Sequence, residues 1–173
     1  MTKDLKEFIA PAYNNEMDAE MTSEAFNVIM SGNATEGQIG AYLIALQKNG
    51  INKNHVLGAL KVMQEKMIKV KVPDNSIDTC GTGGDGIGSL NVSTATAFVV
   101  AATGVPIAKH GNKALTSKCG SADVLEALNI KLIADPSQLE NCINEINICF
   151  MFAPNHHPAM KYVGKVRQEI GIR

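Results

Sequence analysis

Three polar clusters between residues 77 and 112 carry the side chains best suited to bind a ligand. The first is Gly81-Thr82-Gly83-Gly84-Asp85-Gly86-Ile87-Gly88, the second is Asn91-Val92-Ser93-Thr94, and the third is Lys109-His110-Gly111-Asn112. Glycines allow a backbone to approach a ligand closely, and successive amides in such a run can form a concavity that binds an anion. The glycine run alone is equally well explained as an ordinary turn, so its interpretation depends on the other two clusters.

The second and third clusters add hydroxyl groups and a positive charge. Asn91 is a good N-cap for a following helix, with Ser93 and Thr94 in the first turn. The free amides of a helix start favour an anion, and hydroxyl oxygens can donate to phosphate or ligate Mg²⁺. Lys109 is expected to contribute a mobile positive charge. Together the clusters predict a site for a polyphosphate, with a sugar as a further possible group.

Two common phosphate motifs do not explain these residues. Gly81-x-Gly83-x-x-Gly86 has the spacing of the dinucleotide fingerprint, but no Asp or Glu occurs between Asp85 and Asp123 to bind a ribose. The helix also starts several residues too late. A P-loop is excluded because no Gly-Lys-Ser/Thr follows the glycines.

Short apolar segments around the clusters predict a parallel sheet. We expect strands at Ile77–Cys80, Val105–Ala108 and Ile148–Phe152, and a helix at Val92–Thr103. Strands that alternate with helices imply a parallel α/β sheet wound right-handed. All three clusters would then lie at one edge, beyond the carboxyl ends of the strands, where α/β proteins bind ligands.

Residues 1–72 are predicted to form a separate helical domain, and Pro73 marks the start of an α/β domain at 73–173. Thr22 is expected to cap one helix, Thr35-Glu36-Gly37-Gln38 to open a second with a capping box, and Asn52 or Asn54 to open a third. The third helix has apolar residues spaced for burial at Val56, Leu57, Leu60, Met63 and Met67, whereas His55 is expected at the surface. These helices have more apolar surface than they can bury among themselves, which makes a subunit partner plausible.

Composition excludes several classes of protein. The formal net charge of −1 over 173 residues gives no attraction to nucleic acid or to a membrane surface. The four cysteines show neither CxxC spacing nor a disulfide framework, which favours free thiols in a reducing cytosol. We expect no signal peptide and no membrane span at the N-terminus, and therefore a cytoplasmic protein.

Five longer motifs resemble the anthranilate phosphoribosyltransferase family: DTCGTGGDG, NVSTA, KHGN, GSADVLEALN and FMFAPNHHPAMKYVGKVRQEIGIR. The resemblance covers the whole chain but only about the first half of a family member, so the α/β domain is expected to be incomplete at its C-terminus. It implies a fold of the nucleoside phosphorylase/phosphoribosyltransferase type and a homodimer formed through the helical domain. It also implies the tryptophan-pathway reaction, transfer of a 5-phosphoribosyl group from phosphoribosyl pyrophosphate (PRPP) to the amine of anthranilate.

The resemblance also implies the site residues. PRPP would be contacted by Gly81, Gly84, Asp85, Ser89, Asn91, Val92, Ser93, Thr94 and Ser121, and by the segment Lys109, His110, Gly111, Asn112, Lys113, Ala114, Leu115, Thr116 and Ser117. Ser93 would ligate Mg²⁺, while the acidic pair that binds a second metal in the family has no counterpart in the sequence. Anthranilate would be contacted by Gly81, Asn112 and Arg167, with His110 and His157 lining its path.

The chemistry of the residues gives weaker support to the acceptor site. Taken alone, Arg167 is better explained as a surface helix residue and His157 as a turn residue, and only the resemblance reverses this preference. No acid–base residue is assigned, because an aromatic amine is already neutral at pH 7. Two alternatives stay open: an enzyme like the pyrimidine nucleoside phosphorylases, and a truncated, non-catalytic fragment that binds only the donor.

Overall fold

A computed structural model describes residues 3–81, 90–114 and 119–172. By contacts the chain divides into two compact units: Met1–Met67 together with His157–Arg173, here called the helical unit, and Ile68–His156, here called the α/β unit. The sequence-based division instead assigns all of 73–173 to one domain. The units differ from it in the last residues because Val163 and Val166 are buried in the core of the helical unit. The division at residue 72 stays a prediction.

The described elements follow one another as helices and two strands. They are α1 (Lys6–Tyr13), α2 (Ala19–Met30), α3 (Glu36–Lys48), α4 (Lys53–Lys66), α5 (Val92–Ala102), β1 (Ile107–Gly111), α6 (Ser121–Ala127), α7 (Pro136–Ile146), β2 (Ile148–Phe152), α8 (Ala153–His156), a 3₁₀ turn (Pro158–Met160) and α9 (Lys161–Glu169). None of the helices within the described residues is long and apolar enough to cross a bilayer.

Helix starts in the helical unit are set by short polar side chains. Thr35 and Gln38 form the capping box of α3 that the sequence predicts: the Gln38 N–H donates to Thr35 Oγ1 over 3.2 Å. Asn52 opens α4, also as predicted. The prediction that Thr22 caps α2 is wrong, because Asp18 accepts the Met21 N–H over 2.7 Å. Thr22 lies one turn further on, buried, and donates its hydroxyl to the carbonyl oxygen of Asp18 over 2.7 Å.

Helix α4 packs with a different face from the one that its apolar spacing predicts. Val56, Leu57 and Leu60 are 53%, 51% and 47% exposed, while His55, Gly58 and Val62 are buried. The prediction of a surface His55 is therefore wrong. The reason is close packing against α2: a Cβ at Gly58 would lie 2.7 Å from the Thr22 Cβ. The glycine lets the two helix backbones approach each other, which turns His55 inward and leaves the apolar stripe outside.

The α/β unit is built on parallel pairing, as predicted. Strands β1 and β2 pair in parallel from Ile107↔Ile148 to Gly111↔Phe152. The expected strand at Ile77–Cys80 is reduced to a single parallel bridge between Ile77 and Ile107 on the other side of β1. It ends there because the Cys80 N–H donates to Asp78 Oδ1. Since all three segments run in the same direction, their carboxyl ends lie at one edge.

Candidate functional site

The segment before the glycine run is tied to both neighbouring elements of the α/β unit. Asp78 Oδ1 accepts the Cys80 N–H over 2.9 Å and the His110 N–H over 3.3 Å, so one carboxylate joins this segment to β1. The Thr79 hydroxyl donates to the carbonyl oxygen of Ser93 over 2.8 Å, which joins it to the first turn of α5. The second and third polar clusters are therefore joined through the segment that leads to Gly81, while residues 82–88 of the first cluster lie outside the described residues.

Asn91 stands at the N-cap position of α5, but its side chain does not cap the helix backbone. Its Oδ1 accepts the Thr94 hydroxyl over 3.0 Å, and its Nδ2 donates to the carbonyl oxygen of Cys119 over 3.1 Å. The expected cap is wrong because this side chain instead connects α5 to the segment before α6. Backbone carbonyls take two amides at this helix start: the Val92 N–H donates to the Leu90 oxygen over 2.7 Å, and the Thr94 N–H donates to the Asn91 oxygen over 3.1 Å.

Lys109 is buried, with only 3% of its surface exposed, and is not the mobile charge that the sequence suggests. It is buried because β1 lies between β2 and Ile77. Among the described residues, no carboxylate forms a salt bridge with Lys109. A buried lysine without an anion is unfavourable, so Lys109, in the middle of β1, favours a negatively charged ligand.

The charge of Lys109 acts on groups that border the glycine run. Burial raises the pKa of the Cys80 thiol, with Asp78 acting in the same direction and Lys109 against it. Burial lowers the pKa of His110, Asp78 raises it, and His156 and Lys109 add to the lowering. Lys109 therefore influences Cys80, the neighbour of Gly81, and its own neighbour His110. At both groups the effect of the Asp78 carboxylate is larger than that of Lys109.

The segment after β1 returns to the start of α6. The carbonyl oxygen of Asn112 accepts the Ala122 N–H over 3.2 Å and the Ser121 hydroxyl over 3.3 Å. Lys113 Nζ lies 3.0 Å from Glu126 Oε2, and both side chains are about half exposed. An exposed ion pair is worth about 0–1 kcal/mol, so Lys113 can leave Glu126 for a ligand at little cost.

Six of the candidates lie outside the described residues: Gly84, Asp85, Ser89, Leu115, Thr116 and Ser117. The structure does bring together Gly81, Asn91, Val92, Ser93, Thr94, Lys109, His110, Gly111, Asn112, Lys113, Ala114 and Ser121 within the α/β unit. The roles of all these residues toward particular substrates stay predictions.

The remaining two acceptor candidates, His157 and Arg167, belong to the helical unit. Both are half-buried, and Arg167 lies on α9 next to the buried Val166. Their contact with anthranilate stays a prediction.

Sequence reasoning missed two polar residues of the α/β unit. His156 is buried, and its Nδ1 lies 3.1 Å from the carbonyl oxygen of Ile68. The two residues are 88 positions apart in the sequence, so no local pattern predicts this contact. Asp123 accepts two backbone N–H groups near the candidate site. The signal for Asp123 was present, since an acidic residue three positions after a helix N-cap is typical of a side chain that reaches back to the cap.

Comparison with known proteins gives the same two-part organisation. Residues 73–173 match the family model of the glycosyl transferase family a/b domain, and residues 12–67 match that of the glycosyl transferase family helical bundle domain. The chain is 50% identical over 171 residues to anthranilate phosphoribosyltransferase of Bradyrhizobium sp. (strain ORS 278) and 48% identical over 172 residues to that of Persephonella marina. Each comparison covers 98% of this chain and 51% of the relative, so the chain spans about half the length of the curated relatives it matches.

Two solved structures share the fold. Anthranilate phosphoribosyltransferase from Thermus thermophilus matches with a TM-score of 0.87 and 37% identity, over 99% of this chain and 52% of that one. The Saccharomyces cerevisiae protein in complex with PRPP and Mg matches with a TM-score of 0.87 and 26% identity, over 98% of this chain and 52% of that one. The expected architecture, a helical N-terminal part followed by a parallel α/β part, is confirmed. Because its a/b-domain match alone covers more than half of the sequence, this chain belongs to the glycosyl transferase family.

Proposed function

We propose that the chain carries the donor half of an anthranilate phosphoribosyltransferase. The reaction is transfer of the 5-phosphoribosyl group from PRPP to the amine of anthranilate, which gives N-(5-phosphoribosyl)anthranilate and pyrophosphate. Its curated relatives bear the name of this activity, and a related yeast enzyme has been solved with PRPP and Mg. The proposed pathway is tryptophan biosynthesis.

The observation that carries this proposal is the burial of Lys109 in the middle of β1. A lysine with 3% of its surface exposed and no salt bridge to a carboxylate among the described residues favours a polyanion beside it. The segment that leads to Gly81 is bonded to Ser93 in the first turn of α5, so the hydroxyls of that turn adjoin the same strands. The diphosphate of PRPP has the charge and size that such a set of donors would bind.

Mg²⁺ fits these residues only together with the substrate. Within the described ranges, no group of three or more His, Cys, Asp or Glu side chains could hold a metal ion by itself. Mg²⁺ characteristically takes one or two protein oxygens and completes its coordination with phosphates and water. We propose Ser93 as the protein ligand. The ion would supply positive charge to the diphosphate.

The chain's own groups would act on the charge that develops during transfer. As the bond between C1 and the diphosphate oxygen stretches, negative charge grows on the leaving group. Lys109 and the hydroxyls in the first turn of α5 are the proposed donors to that charge, and one well-placed donor of this kind is worth about 3 kcal/mol. The acceptor nitrogen needs no base, since an aromatic amine is neutral at pH 7. Gly81, His110, Asn112, His157 and Arg167 are the proposed anthranilate contacts.

The exposed stripe of α4 is the proposed homodimer surface. Val56, Leu57 and Leu60 are each about half exposed on one helix, and Ile51 at its start is 61% exposed. Apolar residues grouped in this way on a helix favour a protein interface. We also propose a cytoplasmic location, which is consistent with the free thiols of Cys80, Cys142 and Cys149.

Calorimetric titration of PRPP with Mg²⁺ into this chain tests the proposal. We expect saturable binding that depends on Mg²⁺ and is lost in Lys109→Ala. Ser93→Ala should weaken the Mg²⁺-dependent part. No binding to a folded sample would contradict the proposed donor site.

Assays of turnover separate the alternatives. Formation of N-(5-phosphoribosyl)anthranilate would show that these residues suffice for transfer, whereas donor binding without turnover would support the donor-only fragment. Phosphorolysis of thymidine or uridine would instead favour the nucleoside phosphorylase alternative. If turnover occurs, Arg167→Ala should raise the KM for anthranilate far more than that for PRPP.

A further inference from the structure

A single carboxylate oxygen joins two parts of the chain at the edge of the candidate site. Asp123 Oδ2 accepts the Ala114 N–H over 2.9 Å and the Gly120 N–H over 2.7 Å. These three residues are here called the Asp123 clasp. Ala114 follows the third polar cluster and Gly120 precedes α6, so the clasp joins the residues on either side of positions 115–118.

The backbones at the clasp are in direct contact. A Cβ at Gly120 would lie against the Ala114 nitrogen and 2.6 Å from the carbonyl oxygen of Asn112. No residue with a side chain fits there without moving the chain. The carbonyl oxygen of Asn112 is held from the same side by the Ala122 N–H and the Ser121 hydroxyl. Asn112 therefore receives its position from the start of α6 as well as from β1.

A simpler role for Asp123 would be to cap α6. An acidic residue at the third helical position commonly accepts the N–H of the N-cap residue, here Gly120. That role needs one hydrogen bond, whereas Asp123 makes a second to Ala114, nine residues earlier. Asp135 provides the comparison: its carboxylate caps α7 through the N–H and hydroxyl of Ser137, both within the same helix start.

Hydrogen bonds favour the ionised form of both carboxylates. The Ala114 N–H and then the Gly120 N–H lower the pKa of Asp123, with a further contribution from the charge of Lys113. The Ser137 hydroxyl and N–H lower the pKa of Asp135 in the same way. Asp123 and Asp135 are therefore alike in charge and in helix capping. They differ in that Asp123 also accepts the Ala114 N–H, beside the candidate site.

We propose that Asp123 is a positioning residue for donor binding, which holds Asn112 and the backbone around it where the diphosphate of PRPP is bound. Asp123 itself does not touch the substrate. Its effect passes through the Ala114 and Gly120 amides and through the carbonyl oxygen of Asn112. This inference rests on the proposed function of the same site.

The first test follows the amides of Ala114 and Gly120 by NMR as the pH is lowered from 6 to 2.5. Because both donate to one oxygen, their proton shifts should titrate with a common midpoint, below the ordinary Asp pKa of about 3.9. In Asp123→Asn the common titration should disappear. Two different midpoints, or no titration of the Ala114 amide, would overturn the clasp whether or not any ligand binds.

The second test measures PRPP binding with Mg²⁺ by calorimetry in the unmodified chain, Asp123→Asn and Asp135→Asn. We expect about tenfold weaker binding in Asp123→Asn, since two charge-assisted hydrogen bonds are weakened. Asp135→Asn should bind within twofold of the unmodified chain, with a comparable loss in melting temperature. Equal affinity of Asp123→Asn and the unmodified chain would refute the positioning role alone. Absence of binding to the unmodified chain would refute the proposed function, and the positioning role with it.

Discussion

Buried polar side chains in the helical unit hydrogen-bond to backbone groups at helix starts, whereas the buried Lys109 of the α/β unit has no carboxylate partner within the described residues. Thr22 donates to Asp18, and His55 Nδ1 accepts the N–H of Asn52 over 3.2 Å. In the helical unit, these two buried side chains therefore have partners within the fold. Around Lys109, burial costs stability and is explained by a ligand. Lys109 therefore differs from the buried polar side chains of the helical unit, and also from Thr94 and His156 of its own unit, which have partners within the protein.

The largest expected effect is that of Lys109→Met. This change should weaken PRPP binding more than 100-fold, because it removes the buried lysine that we propose as a ligand of the diphosphate. It should also raise the free energy of unfolding by about 1–2 kcal/mol, since a buried lysine that has no salt bridge among the described residues is no longer desolvated. Calorimetry and urea unfolding measure the two effects.

Lys131→Met is the matched control for this prediction. Lys131 is an exposed lysine of the α/β unit, and its replacement should change neither quantity appreciably. A loss of stability in Lys109→Met would show that Lys109 supports the fold. It would then not differ from the buried polar side chains of the helical unit.

A smaller effect is expected from Gly58→Ala in the helical unit. A Cβ at this position would press on the carbonyl oxygen of Ala19 and lie 2.9 Å from the Ser23 nitrogen, so α2 and α4 must separate. We expect a loss of about 2 kcal/mol in the free energy of unfolding, within the usual range for overpacking. Gly164→Ala in α9 meets no atom within 4 Å and should instead stabilise by up to about 1 kcal/mol. Chemical denaturation measures the free energy of unfolding of the two variants. Equal values would show that α2 and α4 can separate at little cost.

The smallest effect concerns the pH dependence of the helical unit. Burial lowers the pKa of His55, so below the ordinary His pKa of about 6.5 the unfolded chain takes up a proton that the folded protein does not. The free energy of unfolding should therefore fall as the pH drops through about 6.5, and the loss should end below the lowered folded pKa. Protonation would also compete with the Asn52 N–H for Nδ1.

His55→Gln isolates this contribution. Gln38 occupies the same position in the capping box of α3, so glutamine can replace the acceptor without titrating. We expect stability within about 1 kcal/mol of the unmodified chain at pH 7.5 and a flatter decline between pH 7 and 5. Urea unfolding at a series of pH values measures the slope. An unchanged slope would assign the acid sensitivity elsewhere, for example to His110, whose pKa burial also lowers.

The sequence predicted the elements whose signals are local. The capping box of Thr35 and Gln38 depends on four residues, and Ile148–Phe152 is a short apolar strand between turn residues. The order of the polar clusters then placed the site at the strand ends, because parallel strands share one carboxyl edge. These predictions required no knowledge of which surfaces pack together.

The errors arose where packing over long distances decided the outcome. Apolar spacing in α4 indicates a stripe, but the close approach of α2 at Gly58 selects the neighbouring face. The sequence predicts an exposed lysine after a short strand. In the structure both edges of β1 are paired, one with β2 and the other with Ile77, and Lys109 is buried. Asp123 was missed for a similar reason, since its bond to Ala114 spans nine residues of chain.

The burial of α9 in the helical core has a consequence for folding during synthesis. Val163 and Val166 complete a core whose other members belong to α1–α4 and the segments beside them, and about 100 residues of chain lie between. At about 5–20 residues per second, the ribosome needs roughly 5–20 s to make that stretch. During this time the nascent α2 and α3 lack the helix that packs against them, which gives chaperones a defined apolar surface to bind. The α/β unit is therefore synthesised while the helical core is still incomplete.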